Sequence, residues 1–164
     1  MTVLVCGGAG YIGSHVNKQL HKEGYETVVF DNLIYGHREA VKWGHFIQGD
    51  LKNPDEIEAV FEVYNIEAVF HFAAYAYVGE SVKEPEKYYR NNVANTLNLL
   101  HAMKKQGCNK IIFSSTCATY GEPEKVPITE DMPQNPINPY GASKLMVERI
   151  LQYYGRTYGL KFAA

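Results

Sequence analysis

Tyr140 and Lys144 stand four residues apart in Pro139-Tyr140-Gly141-Ala142-Ser143-Lys144, so on a helix they share one face, a turn apart. That spacing can build a general base. A tyrosine phenol with its ordinary pKa near 10 keeps its proton at neutral pH. A neighbouring ammonium and the positive N-terminus of a helix both favour the phenolate. A depression of about two to three units, at about 1.4 kcal/mol each, brings the group near working pH, where base catalysis is most effective. The same pair also occurs on ordinary solvated helix faces, so its surroundings decide. Ser114-Ser115-Thr116 offers hydroxyls at the end of an apolar run, and Thr116, the farthest along, can hold a reacting alcohol beside such a base. Plain strand ends use serine and threonine too.

Oxidising an alcohol needs a hydride acceptor, and the N-terminus reads as a site for one. Val3-Leu4-Val5-Cys6 runs into Gly7-Gly8-Ala9-Gly10-Tyr11-Ile12-Gly13-Ser14-His15. Gly8, Gly10 and Gly13 satisfy G-x-G-x-x-G, and Gly7, Gly10 and Gly13 satisfy G-x-x-G-x-x-G. Glycines here allow a tight turn and let backbone N–H groups meet a pyrophosphate at a helix N-terminus. Asp31 follows Gly13 by eighteen positions, at the end of Thr27-Val28-Val29-Phe30, close to the spacing at which an acid accepts ribose hydroxyls. A turn or helix-cap aspartate is the alternative. A carboxylate there repels a 2′-phosphate, so NAD is the expected cofactor rather than NADP. Lys144 is then placed to bond the nicotinamide ribose.

Strands and helices alternate around these residues. Ile12, Val16 and Leu20 make a helix stripe ending near Gly24, and 46–51 reads as the third strand, ending in Gly49-Asp50-Leu51. Pro54 opens a helix with Ile57, Val60, Phe61 and Tyr64 inward. Residues 68–74 make the fourth strand, whose terminal Ala73 and Ala74 leave room for a cofactor. A long helix begins near Pro85 and carries Tyr88, Asn92, Leu99, Leu100 and Met103. Residues 110–116 form the fifth strand. Between Gly121 and Pro139, five prolines interrupt any period, which reads as a long functional loop. The last helix buries Leu145, Met146, Ile150, Leu151 and Tyr154. Near-continuous apolar strands alternating with helices predict an α/β fold, a Rossmann-type doubly wound parallel sheet with helices on both faces. In such folds ligands sit beyond the carboxyl ends of the strands, where the glycines, Asp31, Asp50, Ala73-Ala74 and Thr116 fall.

With 164 residues, 46% hydrophobic and 21% charged, the chain reads as one soluble globular domain, 1–164. A net charge of -2 gives no basic surplus for nucleic acid or anionic membranes. Four apolar residues before the first glycine are too few for a signal core or a membrane span, so a cytoplasmic protein is expected. Three widely spaced cysteines fit reduced thiols. The six histidines show no metal-ligand spacing, and no metal site is expected.

Taken together, the glycine turn, Asp31-Asn32-Leu33, Gly49-Asp50, His71-Phe72-Ala73-Ala74, Val78-Gly79-Glu80-Ser81, Tyr88-Tyr89-Arg90-Asn91-Asn92, Ser114-Ser115-Thr116, Tyr120-Gly121 and Asn138 to Lys144 resemble the UDP-glucose 4-epimerases, extended short-chain dehydrogenase/reductases acting on nucleotide sugars. The resemblance implies that Tyr140 takes the proton of the sugar 4-hydroxyl while hydride moves from C4 to NAD, and that a 4-keto sugar turns and is reduced on its other face. It implies Thr116, Tyr140 and Lys144 as catalytic. The implied cofactor residues are Gly7, Gly10, Tyr11, Ile12, Gly13, Asp31, Asn32, Asp50, Leu51, Phe72, Ala73, Ala74, Asn91, Ser114, Tyr140 and Lys144. It also implies a UDP-sugar partner and a homodimer paired through segments 85–105 and 140–157, although those apolar positions can equally face their own sheet.

Four departures stand out. Cys6 replaces the usual threonine, Ala76 stands where some members carry a lysine over the pyrophosphate, and Thr116 replaces a common serine. The fourth is that the substrate-binding C-terminal part is absent, so the fragment is expected to be inactive alone and to expose apolar surface. The segment from Ser114 to Gly121 also resembles UDP-arabinose 4-epimerases. Another NAD-dependent nucleotide-sugar enzyme, a decarboxylase, stays open, whereas Cys117 and Ala118 offer no acid of the kind dehydratases place after this threonine. A non-catalytic NAD-binding module is the remaining alternative.

Overall fold

Val3, Leu4, Val5 and Cys6 are all completely buried, which requires cover on both faces of the strand they form. In the computed structural model, which describes Met1–Ala164, that strand is β1 (Thr2–Cys6). With β2 (Glu26–Asp31), β3 (His45–Gln48), β4 (Ile66–His71), β5 (Lys110–Phe113) and β6 (Lys161–Ala163) it makes a fully parallel sheet in the order β3-β2-β1-β4-β5-β6. The helices are α1 (Tyr11–Lys22), α2 (Pro54–Val63), α3 (Val78–Lys83), α4 (Pro85–Tyr88), α5 (Asn95–Lys105) and α6 (Pro139–Tyr158). Strand order reverses between β1 and β4, the crevice at which doubly wound sheets hold ligands.

The period of two decides what each face buries. Leu4, Cys6, Val28, Phe30, Val69, Ile111 and Phe113 pack against Ile57, Val60 and Phe61 of α2, Leu99, Leu100 and Met103 of α5, and Val147 and Leu151 of α6. Val3, Val5 and Val29 face the other way, against Ala9, Val41 and Leu20 of α1. Cover on that second face stops short of β5, where Ile112 is 43% exposed.

The predicted order of elements stands, with corrections at their edges. The third strand ends at Gln48, not Leu51. A side chain at Gly49 would lie 2.5 Å from the Phe30 ring, and the Gly49 amide bonds to Asp31 O (3.1 Å), turning the chain out of the sheet. The fourth ends at His71, because the amides of Phe72 and Ala73 both bond to Cys6 O (2.8 and 3.1 Å). Ile12 is not on the buried stripe of α1 but 57% exposed. Gly13 takes the inward place, since a Cβ there would lie 2.2 Å from Gly7 O. Met146 of α6 is 45% exposed, and Val147 is buried instead. The long helix from Pro85 is three pieces, α4, a π turn (Tyr89–Ala94) and α5. Helix α3 went unpredicted, being six residues with no apolar period.

His71, closing β4, is 1% exposed. The Thr96 hydroxyl donates to Asn92 O (2.7 Å) and so accepts from His71 Nε2–H (2.8 Å). His71 Nδ1 is left as a buried, unpartnered lone pair. Burial, reinforced by the charge of Lys144, pushes this imidazole down to about 3. The unfolded histidine takes a proton below about 6.5 that the native one refuses, so acidification costs stability. Between pH 6.5 and 5 the loss is about 2 kcal/mol. Urea unfolding at both pH values is expected to show the wild type losing that much more than His71→Gln, and equal losses would contradict the assignment.

Candidate active site

The glycine turn is made by crowding. Gly7 has φ +78°, and a Cβ on it would lie 2.5 Å from Ala73 N, so the loops after β1 and β4 touch through bare backbone. Gly10 caps α1 without a side-chain bond, which leaves the first amides of the helix available to an anion. Asp31, 8% exposed at the end of β2, accepts the Ala9 N–H on Oδ2 and the Leu33 N–H on Oδ1, both at 2.9 Å. It is thus a turn aspartate and a cleft residue at once. Asn32 accepts from the Ile34 amide (3.0 Å) and donates to Asp50 Oδ2 (3.1 Å).

These residues surround a cleft of about 630 Å³, including its open mouth, across the carboxyl ends of β1, β2 and β4. Of the positions expected from sequence, Gly7, Gly10, Asp31, Asn32, Asp50, Leu51, Phe72, Ala73, Ala74 and Asn91 line it. Tyr11, Ile12, Gly13, Ser114, Tyr140 and Lys144 do not. Tyr11 is 82% and Ile12 57% exposed, both in the first turn of α1. The lining also holds Phe30, Tyr35, Gly36, Gly49, Tyr75 and Asn95, which the sequence did not single out as cofactor residues. Gly36 had a signal of its own, since it follows the acid-bearing strand end, but tyrosines in loops carry none.

Beyond the cleft, α6 grips the end of β5 with successive turns. A Cβ at Gly141 would lie 2.5 Å from Ala118 O, so only glycine allows this approach. Lys144 Nζ donates to Ser114 O (2.8 Å) and sits 4.6 Å from the Phe113 ring centroid. Glu148 accepts a very short bond from Ser115 Oγ and a second from Gln134 Nε2 (2.8 Å), the latter reaching in from the proline-rich loop. Thr116, half-buried, accepts the Ala118 N–H (3.2 Å), which leaves its own hydroxyl proton free to donate. Tyr140 lies in the first turn of α6, where Asn138 caps the Gly141 amide (2.8 Å). Thus the start of α6, with Tyr140 and Lys144, packs on the segment 114–118 that follows β5.

Asn92 ties this cluster to the cleft. Buried in the π turn, it donates to Tyr75 O and Ser143 Oγ (both 3.0 Å) and accepts from the Tyr75 amide (2.9 Å). Ser143 in turn donates to Tyr140 O (2.7 Å). Lys144 is 4% exposed, and burial brings its ammonium down to about 8. At pH 7 about nine in ten of these side chains keep their charge. This poorly solvated cation stands one helical turn from Tyr140 on α6.

Known proteins resemble this chain along its whole length. The NAD dependent epimerase/dehydratase family matches residues 3–164. The UDP-glucose 4-epimerase of Lacticaseibacillus casei is 52% identical over 165 residues, covering 100% of this chain and 50% of that protein. A putative UDP-arabinose 4-epimerase of Arabidopsis thaliana is 51% identical, over 91% of this chain and 36% of its own length. The crystal structure of UDP-glucose 4-epimerase from Brucella ovis in complex with NAD superposes with a TM-score of 0.96 at 53% identity, covering 98% of this chain and 50% of that one. The chain therefore spans about half the length of the curated relatives it matches.

The buried lysine makes stability depend on pH in the alkaline range. From about pH 8 to 10.5 the native side chain has released a proton that the unfolded one still binds, so stability rises with pH across that window. Relative to Lys144→Met, the wild type is expected to gain about 3 kcal/mol between those limits, read by denaturant unfolding. A constant difference across the range would show that the ammonium is not desolvated.

Proposed function

The chain belongs to the NAD dependent epimerase/dehydratase family, and on that premise we propose that it is the cofactor-binding and proton-transferring part of a UDP-sugar 4-epimerase. The observation that supports this reading is the contact of α6 with the end of β5, through which Lys144, one turn along the same helix from Tyr140, donates to Ser114 O.

The residues present fit NAD. Free amides at the start of α1 suit a pyrophosphate, and the bare glycine backbone and Ala73-Ala74 leave room for it. Asp31 keeps unused lone pairs for ribose hydroxyls and repels a 2′-phosphate. NAD, when bound, supplies a hydride acceptor that can return the hydride. Lys144, fixed on Ser114 O one turn along α6 from Tyr140, supplies the positive charge of the pair. Thr116 holds the sugar 4-hydroxyl by its free hydroxyl proton or its remaining lone pair, and Tyr140 removes the proton. When the 4-keto sugar has turned over, Tyr140 gives the proton back to the new hydroxyl. Binding of the UDP-sugar belongs to a part outside this chain, so residues 1–164 alone are expected to turn over little or nothing. A UDP-pentose is the second substrate reading, supported by the similarity to the putative UDP-arabinose 4-epimerase.

Pairing of two copies through α5 and α6 is part of the proposal. Leu99, Leu100, Met103, Val147 and Leu151 face their own sheet, whereas Leu97, Met146 and Tyr153 of the same helices are exposed, which supports a second contact. The cytoplasmic expectation is supported by three free thiols.

A longer protein that joins this chain to its sugar-binding part is expected to interconvert UDP-galactose and UDP-glucose, followed by chromatography of the nucleotide sugars. Tyr140→Phe in it is expected to lower kcat by about 100-fold or more, the scale of a lost general base. Unchanged turnover by that variant, or equal turnover by residues 1–164 alone, contradicts the mechanism.

A further inference from the structure

The loops after β2 and β4 flank the glycine turn after β1, and they meet each other across it. On one side Gly36 presses on the turn, where a Cβ would lie 2.8 Å from Ala9 Cβ, and the His37 amide bonds to Ala9 O (3.0 Å). On the other side Ala73 packs on Gly7. Beyond these contacts the ring of Tyr35 meets Tyr75 edge-on, with centroids 5.4 Å apart and planes at 86°. It meets Tyr77 at 5.5 Å and 81°. The contacts close a circuit running Gly7, Ala73, Tyr75, Tyr35, Gly36, Ala9, of which Gly7, Gly36, Ala73, Tyr35 and Tyr75 line the cleft.

The two jaws are unlike. Tyr75 is fixed, with both backbone polar groups bound by Asn92, its ring against buried Tyr88 (6.0 Å, 64°) and Lys87 Nζ 5.1 Å from its centroid. Tyr35 is 46% exposed, on a loop whose Leu33 holds φ at +60°, a conformation that costs a leucine energy.

We infer that Tyr35 and Tyr75 form an aromatic clasp over the cofactor cleft, which must part for a dinucleotide to enter or leave. This rests on the reading of the cleft as an NAD site. The clasp is closed by contacts between the protein's own rings, so it slows entry and release together and leaves affinity nearly untouched. Edge-to-face ring pairs are individually modest, and losing two of them corresponds to about a five- to 150-fold change in rate. The test is rapid mixing of the full chain with NADH, followed by displacement of bound NADH with excess NAD, both read by nicotinamide fluorescence. Tyr35→Ala is expected to raise the association and dissociation rate constants together within that range, with Kd within about threefold of wild type. Tyr35→Phe keeps the ring edge and is expected to match wild type. Unchanged rates in Tyr35→Ala, with NADH still binding, overturn the clasp alone. Faster dissociation with a proportionate loss of affinity also overturns it, because Tyr35 would then be a ligand contact rather than a gate. A wild-type chain that takes up no NADH overturns the cofactor reading and the clasp with it.

Discussion

One carboxylate holds the cofactor end of this molecule in shape. Asp31 receives an N–H from the glycine turn on one oxygen and an N–H from its own following loop on the other. Such charge-assisted bonds in a nearly buried place are among the stronger ones a fold can make. They fix the glycine turn against β2 and launch the loop that carries Tyr35 and Gly36. The remaining lone pairs of the same two oxygens stay available at the cleft wall. Removing the carboxylate therefore disturbs the turn, the loop and the cleft wall together.

A second constraint sets the end of the sheet at β5. Helix α6 lies on the end of β5 through Gly141, Lys144 and Glu148, and each contact acts on a different residue between Ser114 and Ala118. Burying Lys144 there is costly, as its lowered pKa records, and the cost is met only in part by the Ser114 carbonyl and the Phe113 ring. Asn92 then couples this end to the cleft, since it binds both the backbone of Tyr75 and the side chain of Ser143. The π turn that carries Asn92 suits this task, because a wider turn shifts the phase of the helix faces on either side of it.

Much of this was legible in the chain because the strands are buried on both faces and leave long apolar runs. The eighteen-residue step to Asp31 and the four-residue step from Tyr140 to Lys144 were legible for the same kind of reason, as each is a spacing within local structure. Misreadings came where an apolar residue was assumed to face inward. Ile12 yields to Gly13 because Gly7 O leaves no room for a side chain, and Met146 yields to Val147. Tyr35 and Tyr75 were illegible, since their contact joins loops from strands on either side of β1 and has no sequence period. The second role of Asp31 was hidden likewise, because it depends on where the Ala9 amide ends up.

On the proposed function, the cleft holds NAD and Asp31 selects it over NADP. Titration calorimetry of the chain with NAD and with NADP tests this most directly. NAD is expected to bind one to one, with NADP weaker by about tenfold or more, equivalent to about 1.4 kcal/mol. Equal affinity for the two, or no binding of either, would contradict the account.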